Sequence, residues 1–310
     1  MNDLISDFGN ISEQGFVPAQ ADTEGQGRTV LSQFALLAVD GPDSERFLQG
    51  QLTCDMSEVT LTEWRPGACC TARGQMIANF IVLKSETGYL LRLPSAQVQP
   101  LMDHLKKYAV FFKAEMKTAE HLLLIGELPT STSDSQSPAT QTVSPTVSTP
   151  TIIWPDGRAE YWADESQARE LLTNSLLTSE AEWSGADITS GWLWLLPESA
   201  DQWAPQYIDW QQHEGISFSK GCYTGQEIIA RLQYRSKSKR HLFSVESDQP
   251  LPSVMTPIAL NGRDKGEIGS IGLGSFQNSG LAVMNADAQE IQGECDGHPV
   301  TLRRLFYTEE

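Results

Sequence analysis

The 310-residue chain is poor in cationic side chains, with 22 Lys and Arg against 40 Asp and Glu and a formal net charge of −18. A surface that acidic repels polyphosphate, so strong direct nucleic-acid binding through overall charge is excluded. Cysteine is scarce as well. Cys54, Cys69, Cys70, Cys222 and Cys295 make an odd number with no CxxC pair. That argues against a disulfide framework and points to free thiols in a reducing compartment. The five histidines are scattered, with no HExxH and no pair at ligand spacing, so no metal site is expected. There is no P-loop. Gly269, Gly272 and Gly274 run GxxGxG, the wrong order for a dinucleotide fingerprint, and read as turn and strand glycines. Long apolar runs are missing too. His121 to Ile125 and Trp192 to Leu196 are far too short to span a bilayer. The first ten residues carry acids where a secretory signal needs basic residues. The resulting expectation is a cytoplasmic globular protein with no membrane partner.

Hydrophobic residues make up 40% of the chain, enough for real cores in two or three units. Residues 1–28 are polar and glycine-rich and are expected to be only partly ordered. Residues 29–118 read as an α+β unit. Phe34 to Val39 is a strand and Ser44 to Gln51 a helix, Asn79 to Lys84 pairs with Gly88 to Leu93, and Val98 to Tyr108 is an amphipathic helix. Residues 119–240 read as a second α+β unit. The segment Pro129 to Pro150 is mostly Ser, Thr and Pro, and its composition predicts a disordered insertion. Its flanks, His121 to Gly126 and Thr151 to Trp154, are expected as side-by-side strands, with a helix over Glu165 to Leu177. From residue 241 to the end, short apolar runs broken by Asn261-Gly262 and further glycines predict a small antiparallel barrel or sandwich.

The segment KGCYTGQE, Lys220 to Glu227, carries the strongest chemical signal. Thr224 and Glu227 have capping-box spacing, which predicts Thr224 as the N-cap of a helix through Ile228 to Leu232. Cys222 then lies beside unpaired N–H groups, the positive end of the helix dipole, and Lys220. Those surroundings favour the thiolate and a pKa below the usual value of about 8.5. An incidental buried cysteine before a well-capped helix is the plainer alternative. Arg231, Arg235, Lys237, Lys239 and Arg240 form a basic run, either a solvated loop or an anion site. Cys69-Cys70 reads as two thiols on opposite strand faces. Trp183, Trp192, Trp194, Trp203 and Trp210 read as core packing or as a platform for a flat ligand.

KGCYTGQEIIAR at 220–231 resembles the signature of the YgfZ family, folate-binding and tRNA-modification-linked relatives of the glycine-cleavage aminomethyltransferase, or T-protein. Phe47 to Thr53, Lys106 to Phe111, Pro205-Gln206, Gly215 to Phe218 and Val283 to Asn285 stand in the order that the resemblance requires. Thr71, Ser236 and the stretch 129–150 depart from it. The resemblance implies an α+β, T-protein-like folate-binding fold, three-part and ring-like, with 29–118 as the folate-binding domain and a C-terminal small β-barrel. Its implied cofactor is tetrahydrofolate or another reduced folate. Phe34 and Trp183 match the family's aromatic folate contacts, Tyr223, Gln226, Glu227 and Arg231 are further expected contacts, and Cys222 with Lys220 is the functional thiol site. The implied role is an accessory protein for iron–sulfur enzymes, and through them for tRNA modification. Its expected partners are iron–sulfur proteins or cluster-assembly factors. A folate-dependent aminomethyl or one-carbon transferase is the alternative, with Asp55 as its candidate carboxylate.

Overall fold

The computed structural model describes residues 2–20, 26–129, 150–173, 175–235 and 238–306. Strand alternation in the first unit builds a five-stranded antiparallel sheet. Its order is Arg65–Cys70, Met76–Lys84, Gly88–Pro94, Phe34–Asp40, Glu115–Thr118. Leu37, Val39, Phe80, Val82 and Leu91 leave one face of it and meet Val98, Leu101 and Leu105 of the helix Ser95–Ala109. Those helix positions recur every three or four residues, which is why the helix was legible in the sequence.

The second sheet has four strands in the order Thr151–Ile153, Ala159–Ala163, Leu123–Leu128, Gly27–Val30. This corrects two expectations. The strands flanking the insertion are not neighbours, because Ala159–Ala163 lies between them. Gly157, at a φ of 86°, turns the chain sharply, and Trp154 N–H bonds the Arg158 carbonyl at 2.9 Å, so the strand after the insertion pairs with its immediate successor in a tight hairpin. The N-terminal segment is also more ordered than its composition suggests. It forms the helix Asn2–Ser6 and a hairpin of Gly9–Ser12 with Gly15–Pro18. Leu4, Ile5 and Phe16 are buried there against Val30, Ile125 and Leu172. The adjacent pair Leu4-Ile5 and Phe16 eleven residues later form no readable period. Residues 130–149, most of the expected insertion, lie outside the described residues.

His241–Ser247, Ser279–Met284, Arg263–Ile271, Pro257–Leu260, Glu290–Cys295 and His298–Arg304 close into a six-stranded barrel around Phe243, Ile258, Ile268 and Leu302. Closure leaves no open sheet edge. Between the three parts runs one large core that contains all eight tryptophans of the chain. Asn79 ties first unit to second there. Its amide donates to the Leu193 carbonyl at 2.7 Å and accepts from Leu195 N–H at 2.9 Å.

Candidate functional site

A cavity of about 230 Å³ opens where the three parts meet. Gln33, Phe34 and Pro94 line it from the first unit, Val254, Ser270, Ile271 and Leu273 from the barrel, and the helix Glu180–Ser190 with its following loop from the second. Gly191, left-handed at φ 75°, ends that helix and sends the chain into Trp192 and Trp194, which stack at 5.7 Å and 10°. Glu180, Trp183 and Asp187 are spaced i, i+3, i+7, so one helix face carries all three into the cavity wall. Trp183 is held edge-on against Trp154 at 5.8 Å, with the Arg158 guanidinium 4.2 Å from its ring centre.

The two carboxylates are fixed in place. Glu180 accepts from Phe16 N–H at 2.9 Å, Ser32 Oγ at 2.5 Å and Gln33 N–H at 2.9 Å. Burial pushes its carboxyl pKa above the ordinary range, against the pull of those hydrogen bonds. Asp187 accepts from Arg158 Nη1 at 2.7 Å and from Trp194 Nε1 at 2.9 Å. Neither carboxylate was singled out from the sequence, although their helical spacing around Trp183 was there to be read.

The KGCYTGQE segment forms a second, separate place. It is laced onto the strand-and-turn segment Gly50 to Cys54. Ser217 N–H bonds the Thr53 carbonyl at 2.8 Å, Thr224 N–H bonds the Gly50 carbonyl at 3.1 Å, and Thr53 Oγ1 donates to the Gly215 carbonyl at 2.6 Å. The two most specific sequence motifs thus meet in space. Cys222 is exposed, whereas Cys54, Cys69, Cys70 and Cys295 are buried. Burial pushes the Cys54 and Cys69 thiols up to about 12.

Two expectations about this segment are corrected, and the expected folate contacts fall in two places. The helix runs Gln226–Tyr234, and its N-cap is Gly225 at φ 88°, not Thr224. Thr224 Oγ1 instead reaches Gln51 Oε1 at 3.3 Å. A Cβ at Gly225 would come within 2.6 Å of the Thr71 carbonyl oxygen, so the close approach of this loop to the first unit decides the cap. Lys220 does not serve the thiol directly. Its buried ammonium donates to the carbonyls of Leu52 at 2.8 Å and Cys54 at 2.6 Å, and burial lowers its pKa to about 8. Finally, only Phe34 and Trp183 of the six expected folate contacts line the junction cavity. Tyr223 is buried under the loop, Gln226 is half-buried, and Glu227 and Arg231 are exposed on the helix. Those four belong to the thiol segment.

Asp55 does not line the junction cavity. Its Oδ1 accepts from Gln49 Nε2 at 3.0 Å, Ser57 N–H at 3.0 Å and Ser57 Oγ at 2.7 Å. Burial raises its pKa, but the hydrogen bonds from Ser57 and Gln49 outweigh this and hold it below the ordinary value. Among the described residues, no group of three or more His, Cys, Asp or Glu is placed to hold a metal ion. No helix among them is long and apolar enough to cross a membrane.

The three-part α+β architecture with its closed barrel is that of the aminomethyltransferases. The glycine cleavage system aminomethyltransferase T of Bartonella henselae matches it with a TM-score of 0.63 over 91% of this chain and 86% of that one. Identity there is 16%, so this likeness establishes the fold alone. The tRNA-modifying protein YgfZ of Colwellia psychrerythraea is 32% identical over 254 residues, 77% of this chain and 78% of that protein. Its namesake from Edwardsiella ictaluri is 33% identical over 230 residues, 69% of each. The chain belongs to the YgfZ family. No protein-family model matches it.

Proposed function

We propose that this chain is a folate-binding accessory protein that supports iron–sulfur enzymes and, through them, tRNA modification. The observation that carries the reading is the junction cavity. Aromatic rings wall it, and one helix face brings two fixed carboxylates to the same place. A pterin is flat, with a row of N–H donors along one edge. Phe34 and Trp183 suit its faces, and Asp187 or Glu180 suits its donor edge. The cavity is smaller than the roughly 300–1,000 Å³ of a drug-sized site, so it takes the bicyclic ring, and the aminobenzoyl tail extends outward. Bound folate would supply a one-carbon carrier. The chain's own part is to stack the ring, orient its donor edge and exclude water.

The exposed Cys222 is the working thiol of this reading, presented to partners on a loop anchored by Lys220. Iron–sulfur proteins or their assembly factors are the partners proposed. The charge of −18 makes the link to tRNA indirect. The transferase alternative gains no support from Asp55, which does not line the junction cavity. The test is calorimetric titration with tetrahydrofolate. We expect micromolar affinity, of order −8 kcal/mol, and at least a several-fold loss in Trp183→Ala. No heat and no saturation with any reduced folate would remove the cofactor from the account.

A further inference from the structure

Arg92 sits in the strand Gly88–Pro94 with its side chain fully buried. Its guanidinium carbon lies 3.4 Å from the Phe34 ring centre and 4.7 Å from that of Trp194. Its one ion pair among the described residues is with the equally buried Glu160, Nε to Oε1 at 3.3 Å. Nε, Nη1 and Nη2 have no hydrogen-bond partner among the described residues. An apolar side chain fills such a space at lower cost, so packing does not account for the charge.

Phe34 and Trp194 both line the junction cavity, and Arg92 does not. The cation therefore presses on these rings from within the protein; Phe34 is half-buried and lines the cavity with its remaining surface, whereas Trp194 is nearly buried and stacked on Trp192. We infer that Arg92 sets the reduction-state preference of the cavity, making its aromatic wall select an electron-rich ring over an electron-poor one. This rests on the folate reading of the cavity and names the determinant that would discriminate among folates. A guanidinium on a ring face draws π density toward itself. The wall left to the ligand is then electron-poor and stacks best on an electron-rich partner. The oxidised pteridine of folic acid is depleted by its ring nitrogens. In tetrahydrofolate two of those nitrogens are amines that feed the pyrimidine ring. The surrounding dry core keeps this effect from being screened.

The experiment compares the dissociation constants of tetrahydrofolate and folic acid, which carry the same tail, by calorimetry under anaerobic conditions. The wild-type chain should prefer tetrahydrofolate by about tenfold or more, the scale of one desolvated cation–π contact. Arg92→Met with Glu160→Gln removes both charges together and leaves no buried ion unpaired. Its preference should fall to within about threefold. Phe34→Leu removes the polarised ring without touching a charge, and should lose preference in the same direction. It decides the matter if the double variant shows no cooperative melting. An unchanged ratio in the folded variants, or equal wild-type affinities, overturns the role of Arg92 while leaving the folate site intact. Failure of the wild-type chain to bind either ligand overturns the folate reading itself.

Discussion

Replacing Lys220 with Met should change how stability depends on pH, and the size of the change follows from the structure. The ammonium is buried and its pKa falls from 10.5 to about 8. Between those values the folded chain has released the proton and the unfolded chain still holds it. Raising the pH therefore favours the folded state in that window. Below about 8 both states carry the charge, and this group adds no slope. The span of 10.5 to about 8 corresponds to about 3 kcal/mol at 1.36 kcal/mol per pKa unit. A neutral amine still has two hydrogens for the Leu52 and Cys54 carbonyls, so deprotonation need not break the anchor. Urea denaturation of wild type and Lys220→Met from pH 7.5 to 10.5 reads the effect. The wild type should gain stability relative to the variant by about 3 kcal/mol across the window. Parallel curves would show that Lys220 titrates normally and is not buried as described.

Gly225→Ala should cost about 1–3 kcal/mol, seen as a lower thermal midpoint, because a left-handed residue then meets the Thr71 carbonyl. Gly221→Ala is its control. A Cβ there meets nothing within 4 Å, so the midpoint should hardly move. Removing residues 131–149 and closing the gap with a short turn should shift melting by only a few degrees, since their composition supports no core and loop entropy changes slowly with length. Loss of soluble folded protein on that deletion would contradict it.

Local pattern made much of the fold legible. The sheet strands of the first unit and the helix Ser95–Ala109 follow two- and three-to-four-residue periods, and the barrel strands are set off by glycine turns. What escaped was decided by distant partners. Leu4, Ile5 and Phe16 follow no helical or strand period, and Val30 and Ile125 cover them only in the folded chain. The T-x-x-E spacing at Thr224 is a sound capping signal, yet contact with the first unit shifts the cap to Gly225. Lys220 looks like a neighbour for Cys222 along the chain, but the carbonyls of Leu52 and Cys54 capture it in space. Phe34 and Trp183, which line the cavity, were named by the family resemblance and not by local pattern. The helical spacing of Glu180 and Asp187 around Trp183 is present in the sequence, but their burial and that of Arg92 is not legible there, because polar residues in a helix or strand read as surface until the whole core closes over them.

The central claim is that this protein works through two separate places, a folate cavity at the junction and an exposed thiol at Cys222. Cys222→Ser tests it most directly, in a strain lacking the protein, beside melting and folate titration of the purified variant. Cys222 is the exposed thiol of the five, so Ser should leave melting and folate affinity unchanged while rescue is lost. Iodoacetamide should label Cys222 in the native protein well before Cys54 or Cys69, whose thiols burial holds up at about 12. Full rescue by Cys222→Ser would contradict the account.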